Sequence, residues 1–338
     1  MKIGFLVNDI LLEKEGYTTT MLAWKAFLRG HDIRYIAVQD FTCGSAGDVR
    51  VLTRSFDYVR GRAGSQQEFF QHFYYGRAHE EVLNIDELDA LFLRNDPAID
   101  ARSRPWAQYI GISFGRVAAS RGVLVINNPD GLAAALNKLY FLSFPAEIQP
   151  RTMVSYAHDE IKAFVKSLRG QAVLKPLQGS QGSNVFHVHP HNLDNLNQII
   201  SAISRDGYIM AQEYLPESQE GDTRLFVVEG EILTCDGKRA AVHRRTPRQD
   251  FRSNLSIGAH SEKAYVTDGM LQVVERIREK LRADGMFFVC VDLIGEKLIE
   301  INIFSPGGLM GAEKQDQADY GGALLTALEK KIQTHQAK

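Results

Sequence analysis

The sequence predicts an α/β fold whose second half is dominated by β-strands, and three observations support this prediction. The chain opens with a strand, a helix and a second strand, an order that is typical of a parallel sheet with a right-handed crossover. These elements are residues 2–7, 18–30 and 33–38. From Thr152 onward, β-type segments separated by glycine-containing turns replace that pattern. Near the end of the chain, residues 286–309 contain two adjacent strands with Gly295 and Glu296 between them.

The domain organisation that follows is one parallel-sheet unit and two smaller β-rich units. We place the boundaries so that the units are residues 1–128, 129–215 and 216–338. The length of 338 residues is enough for two or three domains with their own cores. Residues 40–87 have weak patterning, and we expect an excursion or loops there.

Composition narrows the class of protein. The net charge of −2 argues against non-specific nucleic-acid binding, which needs a basic surface. The three cysteines have no C-x-x-C spacing, so neither a disulfide framework nor a zinc site is expected. No apolar run approaches the roughly 18 residues that a membrane span requires. The N-terminus leads directly into a strand without a signal-peptide pattern. We expect a soluble, cytoplasmic protein with neither nucleic-acid nor membrane partners.

Ligand-binding loops are predicted at the ends of the N-terminal strands. Residues 90–93 run into Arg94-Asn95-Asp96-Pro97, and residues 123–127 run into Asn128-Pro129. In open α/β sheets, ligands bind at the carboxyl ends of the strands. The glycine-rich dinucleotide fingerprint does not follow the first strand, which argues against a dehydrogenase. A helix is predicted over residues 130–144, with Leu132, Leu136, Leu139 and Tyr140 on one face and Lys138 beside them.

Three oxygen-bearing side chains interrupt the C-terminal strand pair. Glu300 and Asn302 are two residues apart, so they share a face of one strand, and Asp292 lies on the neighbouring strand. Such a cluster suits a hard cation such as Mg²⁺ when substrate phosphates supply the remaining ligands. The alternative is the ordinary polar face of a hairpin.

A phosphate-binding turn is the second candidate. Lys175 ends an apolar strand and precedes a glycine-rich turn that contains Gly179, Ser180 and Gly182. Glycine frees backbone N–H groups to bind phosphate, and the lysine adds positive charge. The spacing differs from that of a Walker P-loop. The alternative is a flexible hairpin tip beside a surface lysine.

A nucleotide-binding segment is the third candidate. Residues Gln212, Glu213, Tyr214 and Leu215 end a strand and combine polar backbone with an apolar wall, which suits an adenine edge. Asp222 suits ribose hydroxyls, and Arg224 suits a phosphate or carboxylate. The alternatives are a strand that enters a proline turn, a turn aspartate and an edge-strand arginine.

Two further segments suit an anionic substrate. A basic stretch contains Arg244, Arg245, Arg248, Arg252 and Asn254. Directly after the acidic cluster, Ser305-Pro306-Gly307-Gly308 offers close backbone approach to a carboxylate or phosphate. A solvated surface loop, or an RNA contact, is the alternative for the basic stretch.

The ordered set of these motifs resembles the ATP-grasp superfamily, and within it the bacterial glutathione synthetase group. The motifs are Lys138, LKPLQGSQGS, MAQEYLP, GDTRLFVVEGE, RRTPRQDFRSNL and DLIGEKLIEINIFSP, together with RNDPAID and INNPDGL in the first unit. The resemblance implies an N-terminal substrate domain and two ATP-grasp subdomains that hold ATP between two sheets. It also implies a homo-oligomer, either a dimer or a tetramer.

The resemblance also implies roles for individual residues. Lys138 and Lys175 match phosphate-contacting lysines, Gln212 to Leu215 the adenine segment, and Asp222 the ribose contact. Arg224 matches a phosphate- or substrate-binding arginine, and Asp292, Glu300 and Asn302 match ligands of Mg²⁺, with Mn²⁺ as a possible substitute. Arg245 and Arg252 match a loop that closes over the reacting groups, and Arg244 is the alternative to Arg245. Asn254, Ser305, Gly307 and Gly308 are candidate substrate contacts.

The function implied is ATP-dependent carboxylate–amine ligation through an acyl phosphate, with small peptide and amino-acid substrates. The first substrate pair is γ-glutamylcysteine and glycine. The ending SPGG differs from the SPT-type ending of the best-known glutathione synthetases. A ligase with another acceptor therefore stays open, including one that adds glutamate to a protein. A non-catalytic nucleotide-binding protein and a nucleic-acid-binding module are the remaining alternatives.

Overall fold

A computed structural model describes residues 1–45, 47–56, 64–75, 78–178, 184–245 and 260–337. The structure confirms the predicted α/β class, with a β-rich second half. Each of its larger sheets lies within one predicted unit. The boundaries at residues 128 and 215 stay a prediction.

The N-terminal sheet is parallel at its centre. Its strand order is β3-β4-β2-β1-β6-β7, with β5 paired to β4. The strands are β1 (Lys2–Val7), β2 (Asp32–Ala37), β3 (Phe41–Cys43), β4 (Val49–Ser55), β5 (His79–Asn84), β6 (Ala90–Leu93) and β7 (Leu124–Ile126). Strands β2, β1, β6 and β7 pair in parallel, as the βαβ opening predicted. Strands β3, β4 and β5 add an antiparallel edge, and they come from the weakly patterned segment.

Helices cover the N-terminal sheet. They are α1 (Thr18–Leu28), α2 (Gln66–Tyr74), α3 (Pro97–Ser103), α4 (Ile110–Ser120) and α5 (Pro129–Ala134). Helix α1 packs against α2 through aromatic side chains, since Trp24 and Phe27 both contact Phe69. The carboxyl ends of β6 and β7 lead into α3 and α5, so the two predicted loops lie on one side of the sheet.

The single helix predicted over residues 130–144 is wrong. Helix α5 ends at Ala134, and a separate 3-10 helix covers Lys138–Ser143. The Asn137 side chain accepts a hydrogen bond from the Leu139 N–H, which competes with a continuous helix. The N–H of Lys138 donates to the carbonyl of Leu177 in the next unit instead of to its own helix. This break lets Lys138 face the second sheet.

The second sheet is antiparallel, in the order β10-β9-β11-β8. Its strands are β8 (Thr152–Ser155), β9 (Ala172–Pro176), β10 (Phe186–Val188) and β11 (Ile209–Glu213), and it is covered by α6 (His158–Ser167) and α7 (Leu196–Ile203). Strands β9 and β10 pair in an antiparallel manner, as predicted for the two strands of a hairpin. Ile161, Leu174 and Ile200 are buried in the core between this sheet and its helices.

The third sheet contains the C-terminal strand pair. Its order is β17-β16-β12-β18-β19, with β13 paired to β12. The strands are β12 (Asp222–Val228), β13 (Glu231–Ile232), β16 (Ala241–Arg245), β17 (His260–Lys263), β18 (Phe288–Ile294) and β19 (Lys297–Asn302), and β14 (Thr234–Cys235) pairs with β15 (Lys238–Arg239) in a small separate ladder. The remaining helices are α8 (Asp268–Ala283), α9 (Leu309–Asp316) and α10 (Tyr320–Gln336). None of the helices in the described ranges is both long and apolar enough to cross a membrane.

A buried asparagine joins the first and third sheets. Asn127, directly after β7, donates from Nδ2 to the carbonyls of Phe288 and Ile303 at 3.0 and 2.8 Å. Its Oδ1 accepts from the N–H groups of Phe287 and Phe288, both at 2.8 Å. One side chain therefore satisfies four backbone groups of the C-terminal strand pair.

Candidate functional site

The predicted acidic cluster forms across strands β18 and β19. Asp292 lies directly opposite Glu300, and a register shift follows immediately after Asp292. Asn302 donates from Nδ2 to Asp292 Oδ2 at 3.0 Å, so the face-sharing prediction for these residues is confirmed. Asp292 is fully buried at the centre of the sheet. The irregularity at this point is typical of strands that present side chains to a site.

A cavity of about 160 Å³ lies beside this cluster, between the second and third sheets. Lys175 and Met210 line it from the second sheet, and Glu300 and Asn302 line it from the third. Lysine and carboxylate side chains on facing sheets give the cavity both signs of charge. The charged and polar residues among its lining are Asp96, Asn137, Lys138, Lys175, Gln178, Glu300, Asn302 and Ser305.

Two lysines approach the cavity from different elements. Lys138 donates to the carbonyl of Pro176 at 3.2 Å, and Lys175 lies 3.5 Å from the carbonyl of Ile299. Burial lowers the pKa of Lys175 to about 8, against the opposing effect of Glu300. Burial also lowers the pKa of Lys138. Desolvated ammonium groups of this kind gain from the approach of an anion, which is what phosphate binding needs.

A network of ion pairs adjoins the cavity and consists of Arg224, Arg244, Asp222 and Asp292. Arg224 binds both oxygens of Asp292 at 2.7 Å, and its Nη1 donates to the carbonyl of Gly307 at 3.2 Å. Arg244 binds both oxygens of Asp222 and also donates to Asp292 Oδ2 at 2.9 Å. Burial alone would raise the pKa of Asp292, but the two guanidinium groups lower it. The network therefore keeps the buried Asp292 carboxylate ionised, whereas burial raises the pKa of Asp222 against the attraction of Arg244.

The oxygen-bearing side chains fit a divalent cation whose coordination shell is completed by a bound ligand. Asp292, Glu300 and Asn302 offer carboxylate and amide oxygens, the ligand type that hard cations prefer. Glu300 makes neither a hydrogen bond nor an ion pair with any other described residue, so its oxygens remain for a ligand. No group of three or more His, Cys, Asp or Glu residues that would hold a metal unaided occurs in the described ranges. Oxygens of a bound phosphate group or of water would complete the coordination.

The predicted adenine segment ends strand β11 but does not line this cavity. The N–H of Glu213 donates to the Arg151 carbonyl, and the N–H of Tyr214 donates to the Gln171 carbonyl. The Tyr214 ring stacks on His187, with 3.9 Å between the ring centroids. Gln212 donates to the hydroxyl of Thr152 at 3.0 Å. The backbone donors of Glu213 and Tyr214 are thus used within the protein.

Arg244 and Arg245, the two alternatives for the loop arginine, have different surroundings. Arg244 is buried between two aspartates, whereas Arg245 is half exposed and pairs with Glu262 at 2.8 Å and Glu220 at 3.4 Å. Among the arginines that the structure describes, only Arg244 joins Arg224 at Asp292. Five further predicted site residues lie outside the described ranges: Gly179, Ser180, Gly182, Arg252 and Asn254.

The loop after β19 lies at the cavity, and its role in substrate binding stays a prediction. Ser305 lines the cavity, and the carbonyl of Gly307 accepts the bond from Arg224. Gly308 has a φ of 99°, a conformation that strongly favours glycine, and it precedes helix α9. The loop is therefore anchored to the same arginine that holds Asp292.

Sequence reasoning missed the individual roles of Arg94 and Asp96. Arg94 is buried and donates to the Pro306 carbonyl at 3.0 Å and to the Thr19 hydroxyl at 3.1 Å. Asp96 lines the cavity, and its carboxylate accepts from the N–H of Ala98 at 2.9 Å. Burial raises the pKa of Asp96. Their position at the end of β6 was the available signal, because it marked the loop without indicating which side chain faces the cavity.

Comparison with known proteins gives matches over both halves of the chain. The family model for the prokaryotic glutathione synthetase N-terminal domain matches residues 1–133, and the model for the ATP-grasp domain of the same family matches residues 137–317. A glutathione synthetase of Synechococcus elongatus is 32% identical, with 97% of this chain and 98% of that protein covered. A glutathione synthetase of Vibrio cholerae is 30% identical, with 98% of each chain covered.

Solved structures share the fold at lower identity. A D-cycloserine synthetase has a TM-score of 0.66 at 14% identity, covering 98% of this chain and 100% of that one. A macrocyclase from Microcystis aeruginosa, bound with its precursor peptide, has a TM-score of 0.63 at 13% identity, covering 97% and 99%. ATP-grasp ligases named as such have the same fold, with a TM-score of 0.60 for one of them. The family models and the full-length relatives together show that the chain belongs to the prokaryotic glutathione synthetase family of ATP-grasp ligases.

Proposed function

We propose that the protein is a glutathione synthetase, which joins γ-glutamylcysteine to glycine with ATP and forms glutathione, ADP and phosphate. The observation that carries the proposal is the cavity between the two sheets, where Lys138 and Lys175 face Glu300 and Asn302. Family membership over both halves of the chain supports the choice of substrates.

The chemistry begins with a carboxylate, which is a poor acyl donor. In the proposed reaction, a carboxylate oxygen of γ-glutamylcysteine attacks the γ-phosphorus of ATP, the bond to the bridging oxygen breaks, and ADP leaves. The product is an acyl phosphate. The glycine amine, once deprotonated, attacks the acyl carbon, and the tetrahedral intermediate expels phosphate as the amide forms. Covalent attachment to the protein is not required.

The residues around the cavity would bind and orient these groups. We propose that Lys138 and Lys175 bind phosphate oxygens and offset the charge of the transferring phosphoryl group. Arg224 would contact the substrate or a phosphate while it holds Asp292 and Gly307 in place. Ser305 and the following glycines would place the substrate carboxylate. Holding two reactants in one orientation lowers the entropic barrier to reaction.

Glutathione synthetases with the ATP-grasp fold use ATP and a divalent metal ion. We propose that the ion is Mg²⁺, with Mn²⁺ as a substitute, and that Asp292, Glu300 and Asn302 would hold it. When bound, the ion supplies positive charge that stabilises the charge on the phosphate oxygens.

Three further residue assignments belong to the proposal. Gln212 to Leu215 would line the adenine site. Because the N–H groups of Glu213 and Tyr214 already donate within the protein, other groups would donate to the adenine ring. Asp222 would contact the ribose, and Arg245 and Arg252 would belong to a closing loop.

Because the reaction consumes ATP, we expect the protein in the cytoplasm. A dimer or tetramer remains our prediction for the assembly.

The test of the proposed function measures phosphate release from Mg·ATP with the two substrates added singly and together. We expect release only when γ-glutamylcysteine and glycine are both present, with one glutathione formed for each phosphate. A panel of other amines and peptide acceptors is run in parallel. Turnover with a different pair, and none with these two, would reject glutathione synthesis and leave a ligase of another substrate class, such as one that adds glutamate to a protein.

A further inference from the structure

Four hydrogen-bond donors surround the Asp292 carboxylate, and three of them converge on Oδ2. Its Oδ1 accepts from Arg224 Nε, and its Oδ2 accepts from Arg224 Nη2, Arg244 Nη2 and Asn302 Nδ2, all within 2.7 to 3.0 Å. An ionised carboxylate offers about four lone-pair positions. A metal ion that binds Asp292 through Oδ2 therefore has to displace one of the three donors there.

Of the two arginines at Asp292, Arg244 leaves more easily; Asn302, the other donor to Oδ2, is itself a proposed metal ligand and stays at the site. Arg224 holds Asp292 through two bonds and holds Gly307 through a third. Arg244 contributes a single bond to Asp292 and keeps its two bonds to Asp222 if that single bond breaks. Breaking one charge-assisted bond costs less than breaking a bidentate pair.

The charge balance around the site is the second observation that bears on metal binding. Four cationic side chains and four carboxylates surround the site within the described residues, so no excess negative charge attracts a divalent ion. They are Lys138, Lys175, Arg224 and Arg244, with Asp96, Asp222, Asp292 and Glu300. Nucleotide phosphates would bring the missing negative charge, and would offer Arg244 an alternative partner.

We propose that Arg244 competes with the divalent metal ion for Asp292, so that the metal binds at Asp292 and Glu300 only together with nucleotide phosphates. This inference rests on the metal site of the proposed function and adds the order of binding. Arg244 thereby prevents the occupation of the site by metal alone. Its neighbour Arg245, on the opposite face of β16, has exposed partners and cannot act in this way.

The experiment measures Mn²⁺ binding to the full-length protein by water proton relaxation enhancement, which detects metal bound to the protein. Titrations are made without nucleotide and with saturating ADP. We expect wild-type protein to bind Mn²⁺ at least about tenfold more tightly with ADP. In Arg244→Gln, the affinity without nucleotide should rise about tenfold, because one donor and one positive charge are gone from Asp292.

A matched control and a second variant separate this effect from general changes in charge or folding. Arg276→Gln removes the same charge from an exposed residue of α8 that pairs with Glu147, and its Mn²⁺ affinity should equal that of the wild type. Asp222→Asn/Arg244→Gln removes both members of the buried pair, so it leaves no unpaired aspartate at position 222. It should fold even if the single variant does not, and it should show the same gain in affinity without nucleotide.

The outcomes are distinguishable. Equal Mn²⁺ affinity in the wild type, the Arg244 variants and Arg276→Gln would overturn the role of Arg244. Equal affinity of the wild type with and without ADP would overturn it as well. No Mn²⁺ binding to the wild type even with ADP would overturn the proposed metal site itself, and the role of Arg244 with it. Glutathione formation by the wild type tests the proposed function separately from all three results.

Discussion

Arg94 and Arg224 donate hydrogen bonds to neighbouring carbonyl groups of one loop, those of Pro306 and Gly307, at 3.0 and 3.2 Å. Arg94 comes from the end of β6 in the first sheet, and Arg224 comes from β12 in the third. The Arg94 guanidinium also lies 5.4 and 5.7 Å from the ring centroids of Phe92 and Phe288. The loop that lines the candidate site is thus held from two sides by two parts of the chain.

Replacing Arg94 with methionine tests this attachment. The variant leaves the Pro306 carbonyl and the Thr19 hydroxyl without their donor, and we expect a loss of about 2–4 kcal/mol in the free energy of unfolding. Because the loop would lose its orientation, kcat should fall at least about tenfold. Denaturant titration and steady-state kinetics measure the two effects. Arg50→Met, which removes an exposed partner of Asp48, is the control and should change stability by less than about 0.5 kcal/mol. Equal stability of the two variants would contradict the attachment.

The raised pKa of Glu13 leads us to expect that the stability of the protein depends on pH. Burial raises the pKa of its carboxyl to about 7, against the attraction of Arg94. The folded protein therefore binds more protons than the unfolded chain between pH 4.5 and about 7, and stability falls as the pH rises through this range. Glu13→Gln should match the wild type at pH 4 and exceed it at pH 8 by about 2 kcal/mol, a figure reduced for the part of the side chain that water reaches. Urea titrations at both pH values measure the difference, with the exposed neighbour replacement Glu15→Gln as control. A constant difference across the pH range would exclude Glu13 as the source.

Because burial disfavours the charged form of Lys175, we expect that replacing this lysine stabilises the protein. Its pKa of about 8 lies below the value of 10.5 for an unperturbed lysine, so the protonated group destabilises the fold fully below pH 8. This cost disappears as the pH rises through 10.5. At pH 7, without nucleotide or metal, Lys175→Met should be about 2 kcal/mol more stable than the wild type, again with a reduction for partial exposure.

The same Lys175 variant should bind nucleotide about 100-fold more weakly, because a desolvated charge on phosphate is lost. Calorimetric titration with ADP and thermal unfolding would measure the two opposite effects. Lys162→Met, on the exposed face of α6, should leave both quantities unchanged. A Lys175 variant that is less stable and binds ADP normally would contradict the placement of this lysine at the phosphates.

Because the Asn127 side chain makes four hydrogen bonds, we expect it to contribute strongly to the connection between the first and third sheets. Asn127→Asp keeps the shape of the side chain but replaces the donor that serves Phe288 and Ile303 with a buried oxygen. We expect a loss of about 2–4 kcal/mol at pH 7, because an acceptor then faces two carbonyl groups. Chemical denaturation measures this value. Asn197→Asp, an exposed position on α7, is the matched control, and a similar effect in both variants would show that the connection contributes little.

Local patterns were sufficient to predict much of the architecture. Asp292, Glu300 and Asn302 were placed on one face because strand alternation and the Gly295 turn determine register within a hairpin. The βαβ opening predicted the parallel centre of the first sheet for a similar reason. These signals depend on residues that are close in sequence, and that is why they could be interpreted without the fold.

Contacts between distant segments could not be predicted. Lys138 reaches the cavity because the predicted helix is broken and its N–H bonds to Leu177, and no periodic pattern indicates this break. Asn127 was predicted to end the strand that leads into a ligand-binding loop, but its side chain bonds to the backbone of Phe287, Phe288 and Ile303. Arg244 and Arg245 are adjacent in sequence, and only the alternation of β16 relative to Asp222 and Asp292 distinguishes them.

The central claim is that the protein activates a substrate carboxylate as an acyl phosphate before an amine attacks it. The most direct measurement uses γ-glutamylcysteine whose cysteinyl carboxylate carries ¹⁸O in both oxygens, with ATP, Mg²⁺ and glycine, and analyses the products by mass spectrometry. We predict that each phosphate released carries one ¹⁸O atom and that the new amide of glutathione retains the other. Phosphate without the label, released while glutathione forms, would contradict the acyl phosphate and the account of the site built on it.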